Sequence, residues 1–343
     1  MRRLLAIISA TMLIALVFVG GPKLAEACAG LIGPNGAVNL GRTTTLAAYD
    51  NGVEHYVTAF EFQGGGGEFG SLIPLPGVPT KVERGGGWTL QRLERETQPP
   101  APRDFALSAG VAEDRAIVLQ EVQIDALDIT VLKGGGPAVG EWATEHGFRL
   151  PPDAPEVLDF YANRSPIFLA AVFDADAAAA RGQNIGDGTP VQITIPTDNP
   201  WVPLRILGLG KAAEDRVQAD VFLLTNDKPS LLFRPVDGVD ITHSDDATTS
   251  LLDDLRSDDN MAWVPQSAYL TKMSIDSAAK DMNFDLAVDV SGDDKPSPIA
   301  AGFSLPDTDG GGVSQATIWA IAAVVFAALL CASVFRLPQA RRP

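Results

Sequence analysis

His243, Ser244 and Asp245 stand side by side, the three residue types of a hydrolase triad. Triad members converge from separate segments, because adjacent residues on one backbone do not point together. No G-x-S-x-G elbow occurs either, so the three are read as a polar loop. His55 and His146 are far away in the chain, and no H-x-x-x-H or H-x-H pair exists to hold zinc. Asp245-Asp246, Asp253-Asp254 and Asp258-Asp259 crowd one stretch, and Asp293-Asp294 follows later. Calcium needs six or more oxygens at set spacing, which these pairs lack. Asp245 or Asp246 reads as a helix N-cap and the rest as solvated surface, with a weak calcium site as the alternative. Glu121, Asp125 and Asp128 lie near strand ends. Two of them about 5–10 Å apart would suit glycoside hydrolysis. The glycine runs 64–67, 85–87 and 134–136 match neither phosphate-binding pattern. Trp88, Trp142, Trp201 and Trp263 could line a sugar platform, but their dispersal favours packing. No catalytic residue, metal ligand or cofactor is assigned.

The elements that must position these residues are strand-rich. Asp50-Asn51-Gly52 separates strands over 43–49 and 53–62, and Asn-Gly accepts the positive φ angles of a tight hairpin. A short strand falls within 68–79. Helices are predicted at 86–97, 137–146, 154–162 and 247–256. Further strands are predicted near 116–124, 127–132, 166–173, 190–195, 202–208, 216–224, 267–275 and 283–290. No tandem repeat is present. The expected class is α+β, a strand-rich extracytoplasmic domain with a few short helices, plus one C-terminal transmembrane helix.

Both ends read as targeting devices. Arg2 and Arg3 precede an apolar run, and Ala25-Glu26-Ala27 offers small residues at the positions a signal peptidase admits. Cleavage before Cys28 is expected. Residues 316–335 carry no charge and, at 1.5 Å per residue, suffice for a bilayer core of roughly 30 Å. Arg336, Arg341 and Arg342 follow, so the tail is expected inside and the domain outside, in a single-pass cell-membrane arrangement. The expected organisation is signal peptide 1–27, extracytoplasmic domain 28–290, flexible stalk 291–315, span 316–335 and basic tail 336–343. Leu305-Pro306-Asp307-Thr308 also resembles the first four positions of a Leu-Pro-x-Thr-Gly wall-sorting motif. Asp309 stands where that motif has glycine, at the bond a sortase would cut. Sortase attachment at Leu305, Pro306 and Thr308 is therefore the alternative to a retained helix.

A net charge of −17 makes nucleic acid an unsuitable partner, since phosphate contacts require a basic face. The two cysteines, Cys28 and Cys331, fall at the mature start and in the span, so they do not pair within one molecule. Glu26 and Ala25 depart from a lipobox, which argues against lipidation of Cys28.

Three stretches, "FGSLIPLPGVP" (69–79), "DITVLKGGGPAVGEWATEHGFRLP" (128–151) and "PVQITIPTDNPWVPLRI" (190–206), resemble a bacterial family of exported proteins, domain of unknown function 2330. The resemblance implies a signal peptide, a mature start near Ala27-Cys28-Ala29-Gly30 and often a C-terminal membrane helix. It implies no activity, and the motifs, rich in Pro, Gly and apolar residues, read as architecture. The expected function is a membrane-anchored, non-catalytic module that binds a partner or a cell-wall or envelope component. The competing reading is an envelope hydrolase using carboxylates.

Overall fold

The Asp50-Asn51-Gly52 turn forms as its residues dictate: Asn51 and Gly52 both take positive φ, 50° and 81°, the pair a type I′ hairpin turn needs. The computed structural model describes residues 25–26, 30–33, 36–37, 42–60, 69–97, 118–174, 189–289 and 295–303. All of these fall in one compact unit spanning Met1–Phe303. The predicted cleavage residues Ala27 and Cys28, the motif residues Leu305, Pro306 and Thr308, the span 316–335 and the tail lie outside the described residues. Among the described residues no helix is long and apolar enough to cross a membrane.

The turn joins β4 (Arg42–Asp50) to β5 (Val53–Phe60) at the centre of an eight-stranded mixed sheet. On the far side of β4 lie β13 (Arg216–Thr225), β16 (Tyr269–Ala278) and the edge strand β15 (Val239–Asp246). Beyond β5 come β11 (Thr189–Pro196) and β7 (Lys81–Arg84). The β4–β13 pairing is parallel. So is that of β1 (Ala25–Glu26), which matches Ala25 to Arg42 and Glu26 to Thr43. A cut before Cys28 would therefore remove that two-residue strand from the sheet.

The second sheet has the order β3 (Gly36–Ala37), β2 (Gly30–Gly33), β6 (Phe69–Leu75), β10 (Ile167–Phe173), β9 (Leu127–Lys133) and β8 (Val118–Ile124). Both β6 and β10 are buried along their whole length, which is why their sequences run almost continuously apolar instead of alternating. Pro74 is tolerated inside β6 because β2 pairs only with Gly70–Leu72, leaving that edge without a donor to satisfy.

Alternation along each strand sorts the core into three layers. Between the sheets lie Tyr56, Ile73, Leu169, Ile193, Val221, Ile275 and their neighbours. On the outer face of the larger sheet, α1 (Thr89–Thr97) and a later helix, residues 249–257, bury Leu90, Leu93, Leu251 and Leu255 against Leu46, Val57 and Phe222. On the outer face of the smaller sheet, α2 (Gly136–Glu145) and α3 (Ala154–Ala162) bury Trp142, Leu158 and Tyr161. The helix at Thr249–Ser257 is α4. A small three-stranded sheet, β12 (Trp201–Val202), β17 (Leu286–Val288) and β14 (Leu231–Leu232), completes the fold.

The strand-rich α+β expectation holds for the described residues. Several local readings differ. Residues 202–208 are not one strand: β12 ends at Val202 and a 3-10 turn covers Arg205–Gly208, because Leu204 and Arg205 give their N–H groups to a buried carboxylate. His243, Ser244 and Asp245 are not a loop but part of β15, with a bulge between Ile241 and His243. Nor do Asp245 or Asp246 cap α4. Thr248 does, its hydroxyl accepting from the Leu251 N–H at 3.2 Å. Residues 295–303, which the sequence places in a stalk, pack on α3 and bury Ala300 and Ala301. Apolar residues there find a helix surface that composition alone does not reveal.

Candidate functional site

The three carboxylates nominated for hydrolysis share the β8–β9 hairpin, where the strand register sets Glu121 and Asp128 on one face as diagonal cross-strand neighbours. Asp125 takes a φ of 61° in the β8–β9 hairpin turn and ion-pairs with Arg84 of the other sheet. Glu121 is exposed and stands opposite Thr130. Asp128 is buried, stands opposite Gln123 and accepts from its Nε2 at 3.4 Å. Of the tryptophans, Trp142 and Trp201 are core residues, Trp88 is 36% exposed, and Trp263 stacks flat on His55 at 3.9 Å. His146 packs on Trp142 and donates from Nδ1 to the Trp142 carbonyl at 2.8 Å. Among the described residues no group of three or more His, Cys, Asp or Glu could hold a metal.

The family-like stretches meet in space, and glycine is what lets them. A Cβ on Gly70 would stand 2.9 Å from the Phe148 ring, and one on Gly77 would stand 2.9 Å from the Pro196 carbonyl. The first stretch thus carries the notches into which the other two fit. The glycine run 85–87 has a similar purpose. Gly86 lets the Asp258 carboxylate close on the start of α1, where Asp258 accepts from Gly87 N–H, Trp88 N–H and the Thr89 hydroxyl at 2.8–3.1 Å. A helix N-terminus is a natural anion seat, and here the chain fills it with its own carboxylate.

A second carboxylate is buried at the other side of the molecule. Asp285 accepts from the Tyr161 hydroxyl (2.9 Å) and the N–H groups of Leu204 and Arg205 (2.7 and 3.0 Å), and pairs with Arg164. Burial pushes the Asp285 carboxyl up from its ordinary value, and Arg164 pulls it back. The Arg164 guanidinium lies 4.2–4.9 Å from the Phe160, Tyr161 and Trp201 ring centres. It also donates to Ala300 O at 2.6 Å. This cluster fastens α3, the 3-10 turn, β17 and residues 295–303 together.

Glu54 of β5 is different. It is 1% exposed, and neither carboxyl oxygen has a hydrogen-bond partner among the described residues. Burial raises its carboxyl from 4.5 to about 8. On the opposite face of β5, burial pulls His55 down from 6.5 to about 4. The folded chain thus keeps a proton on Glu54 that the unfolded chain releases above pH 4.5, so this stabilisation fades as pH rises through about 8. The His55 contribution has the opposite sense: it is present above pH 6.5 and fades as pH falls toward 4. Between pH 6.5 and 8 Glu54 acts against a constant His55. Stability is expected to drop there by about 2 kcal/mol, at roughly 1.4 kcal/mol per pH unit. Urea unfolding at the two pH values checks this. Glu54→Gln should flatten the slope, and an unchanged slope would refute the assignment.

The remaining polar constellation lies where the helices leave the outer face of the larger sheet uncovered. Asp220 of β13 accepts from Arg42 Nε and the Ser274 hydroxyl, both at 2.6 Å, and lies 3.3 Å from Lys272 Nζ. Burial pushes Asp220 up, but these partners outweigh it and hold the carboxyl below its usual range. Glu94 of α1 accepts from the Thr44 hydroxyl at 2.8 Å, and burial raises its carboxyl. Thr242 of β15 bonds Ser274 at 3.2 Å, which joins this shelf to the edge strand. Every residue of β15 from Asp240 to Asp246 is exposed except His243, which is half-buried. Sequence reasoning missed the shelf because its members come from five separate elements.

These features define a strand-rich α+β protein of two facing sheets with helices on both outer faces. The chain belongs to the family described as an uncharacterized protein conserved in bacteria, DUF2330, whose profile matches residues 22–229. No curated protein matches it. Among solved structures, a mutated baculovirus P35 after caspase cleavage is similar at 7% identity, with 74% of this chain and 92% of that one covered and a TM-score of 0.35. Baculovirus P35 itself is similar at 9% identity, with coverages of 72% and 91% and a TM-score of 0.34. Likeness at that level carries no statement about this chain.

Proposed function

We propose that the chain is a non-catalytic binding module held on the outer side of a cell membrane, and that it binds an extended cationic segment of a partner along β15. The observation that carries this reading is the edge itself. Eight residues form the outermost strand of the sheet with seven of them exposed or half-buried, so one row of backbone groups is open to pairing. Asp240, Asp245 and Asp246 on this strand repel a second copy of the same edge. A segment bearing lysine or arginine meets the opposite condition, since the same carboxylates attract it. The outward placement rests on the signal-like residues 1–27 and the apolar span 316–335.

An acetylated, amidated Lys-Val-Lys-Thr-Lys-Val-Lys peptide provides the test. Binding to the protein is expected to weaken with added salt, and at least about tenfold in the Asp240→Lys, Asp245→Lys double variant. Equal binding by the variant, or by a peptide with glutamate in place of lysine, would overturn the reading. Mass spectrometry of the protein from cell envelopes tests the placement. A start at Cys28 with residues 316–335 retained supports a membrane anchor, whereas an end at Thr308 assigns sortase-type attachment to the wall instead.

A further inference from the structure

A buried carboxyl with two idle oxygens is a group waiting for a partner, because native folds rarely leave such atoms unpaired. Glu54 sits directly across from Tyr49 on β4 and from Ile195 on β11. It lines a small pocket with Ala47, Tyr49, Trp201, Leu223, Thr225 and Val288. The pocket leaves about 10 Å³ for the centre of a water-sized group, room for one such group and no more. Its polar equipment is sparse. The Tyr49 hydroxyl donates to Thr197 O at 3.1 Å, and the Thr225 hydroxyl donates to Asp227 O at 2.7 Å. Glu54 thus lines the pocket with neither carboxyl oxygen hydrogen-bonded among the described residues.

We propose that the pocket over Glu54 is a binding site for the ammonium head of a primary amine. Size, charge and ligand count narrow the choice to this class. A divalent cation of the calcium type needs six or more oxygens, and the side chains lining the pocket carry four, two on Glu54 and one each on Tyr49 and Thr225. An anion would meet Glu54 together with Asp198 and Asp50, whose fields all reach Tyr49. A compact cation meets the reverse, in a site walled by Tyr49 and Trp201 beside the Glu54 carboxyl. Tyr49, whose phenol is pushed up by burial, is the other titratable group lining the pocket. As the ammonium enters, the Glu54 O–H bond breaks and its proton passes to the buffer. The carboxylate then accepts N–H bonds from the ammonium, and the buried pair is neutral.

Methylammonium is the probe, titrated calorimetrically at pH 7 into the full-length chain in detergent, in two buffers of different ionisation enthalpy. One equivalent is expected to bind with a dissociation constant on the order of 10 mM, as befits so small a ligand. Close to one proton should be released. Tetramethylammonium, which cannot donate and does not fit, should fail to bind. Glu54→Gln should abolish both binding and proton release. Ala47→Val, which narrows the pocket and keeps Glu54, should weaken binding at least tenfold in a chain whose folding is verified by its unfolding midpoint. Binding of methylammonium alone assigns free amines. Binding of N-acetyl-lysine methylamide as well assigns a protein-borne lysine. No binding, binding without proton release, or binding indifferent to both variants would overturn the proposal.

Discussion

Replacing Asp285 by alanine is expected to destabilise the protein by about 3–5 kcal/mol, the usual cost of stranding one member of a buried ion pair. The cost comes from what is left behind. Arg164, with 8% of its side chain exposed, would keep its charge without its counter-ion. The Tyr161 hydroxyl and the N–H groups of Leu204 and Arg205 would lose their shared acceptor. Asp285→Asn keeps an acceptor oxygen and should fall between wild type and alanine. The double variant Asp285→Ala, Arg164→Met should recover part of the loss, because the orphaned charge leaves with its partner. Chemical unfolding of wild type, Asp285→Ala, Arg164→Met and the double variant measures this cycle. A single-variant cost below about 1 kcal/mol would mean the pair is hydrated and the buried-knot account is wrong.

Trp142→Ala should cost a similar amount, about 3–5 kcal/mol, through a different route. The indole is fully buried between α2 and the smaller sheet, with the Phe148 ring 5.9 Å and the His146 ring 4.7 Å from it. Removing it opens a cavity beside the notch that Gly70 leaves for Phe148. Its Nε1–H has no partner among the described residues. Trp142→Phe therefore loses volume but no hydrogen bond, and should cost clearly less than the alanine variant. Equal costs for the two, measured by thermal or urea unfolding, would show that the indole N–H is bonded after all.

The two variants probe opposite ends of legibility. Trp142 was readable: with Val139 and Ala143 it forms an apolar stripe at helical spacing, and α2 buries those three residues. The hairpin at Asn51-Gly52, the apolar strands β6 and β10 and the helix at Ala154–Ala162 were readable for the same reason, since each is specified by neighbours in sequence. Asp285 was not. Its partners lie 80–124 residues away, and one aspartate in a mostly apolar stretch looks like any solvated one. Glu54 hid in an ordinary alternating strand, where pattern alone does not say which face is buried. β15 hid for the converse reason. As an edge strand exposed on both faces it lacks the alternation that marks a half-buried strand.

By itself the sequence determined that this chain is a strand-rich α+β member of its family, with glycines and prolines spent on close packing. Those properties follow from local periodicity, turn chemistry and side-chain size, which act over a few residues. The tertiary structure alone decided which carboxylates matter. It paired Asp258 with a helix start, locked Asp285 under Arg164, gathered Asp220, Glu94 and Lys272 on one shelf, and left the buried Glu54 without a hydrogen-bond partner among the described residues. Burial and charge partnership depend on what the fold brings together across the chain, and the field at a side chain is set by that company.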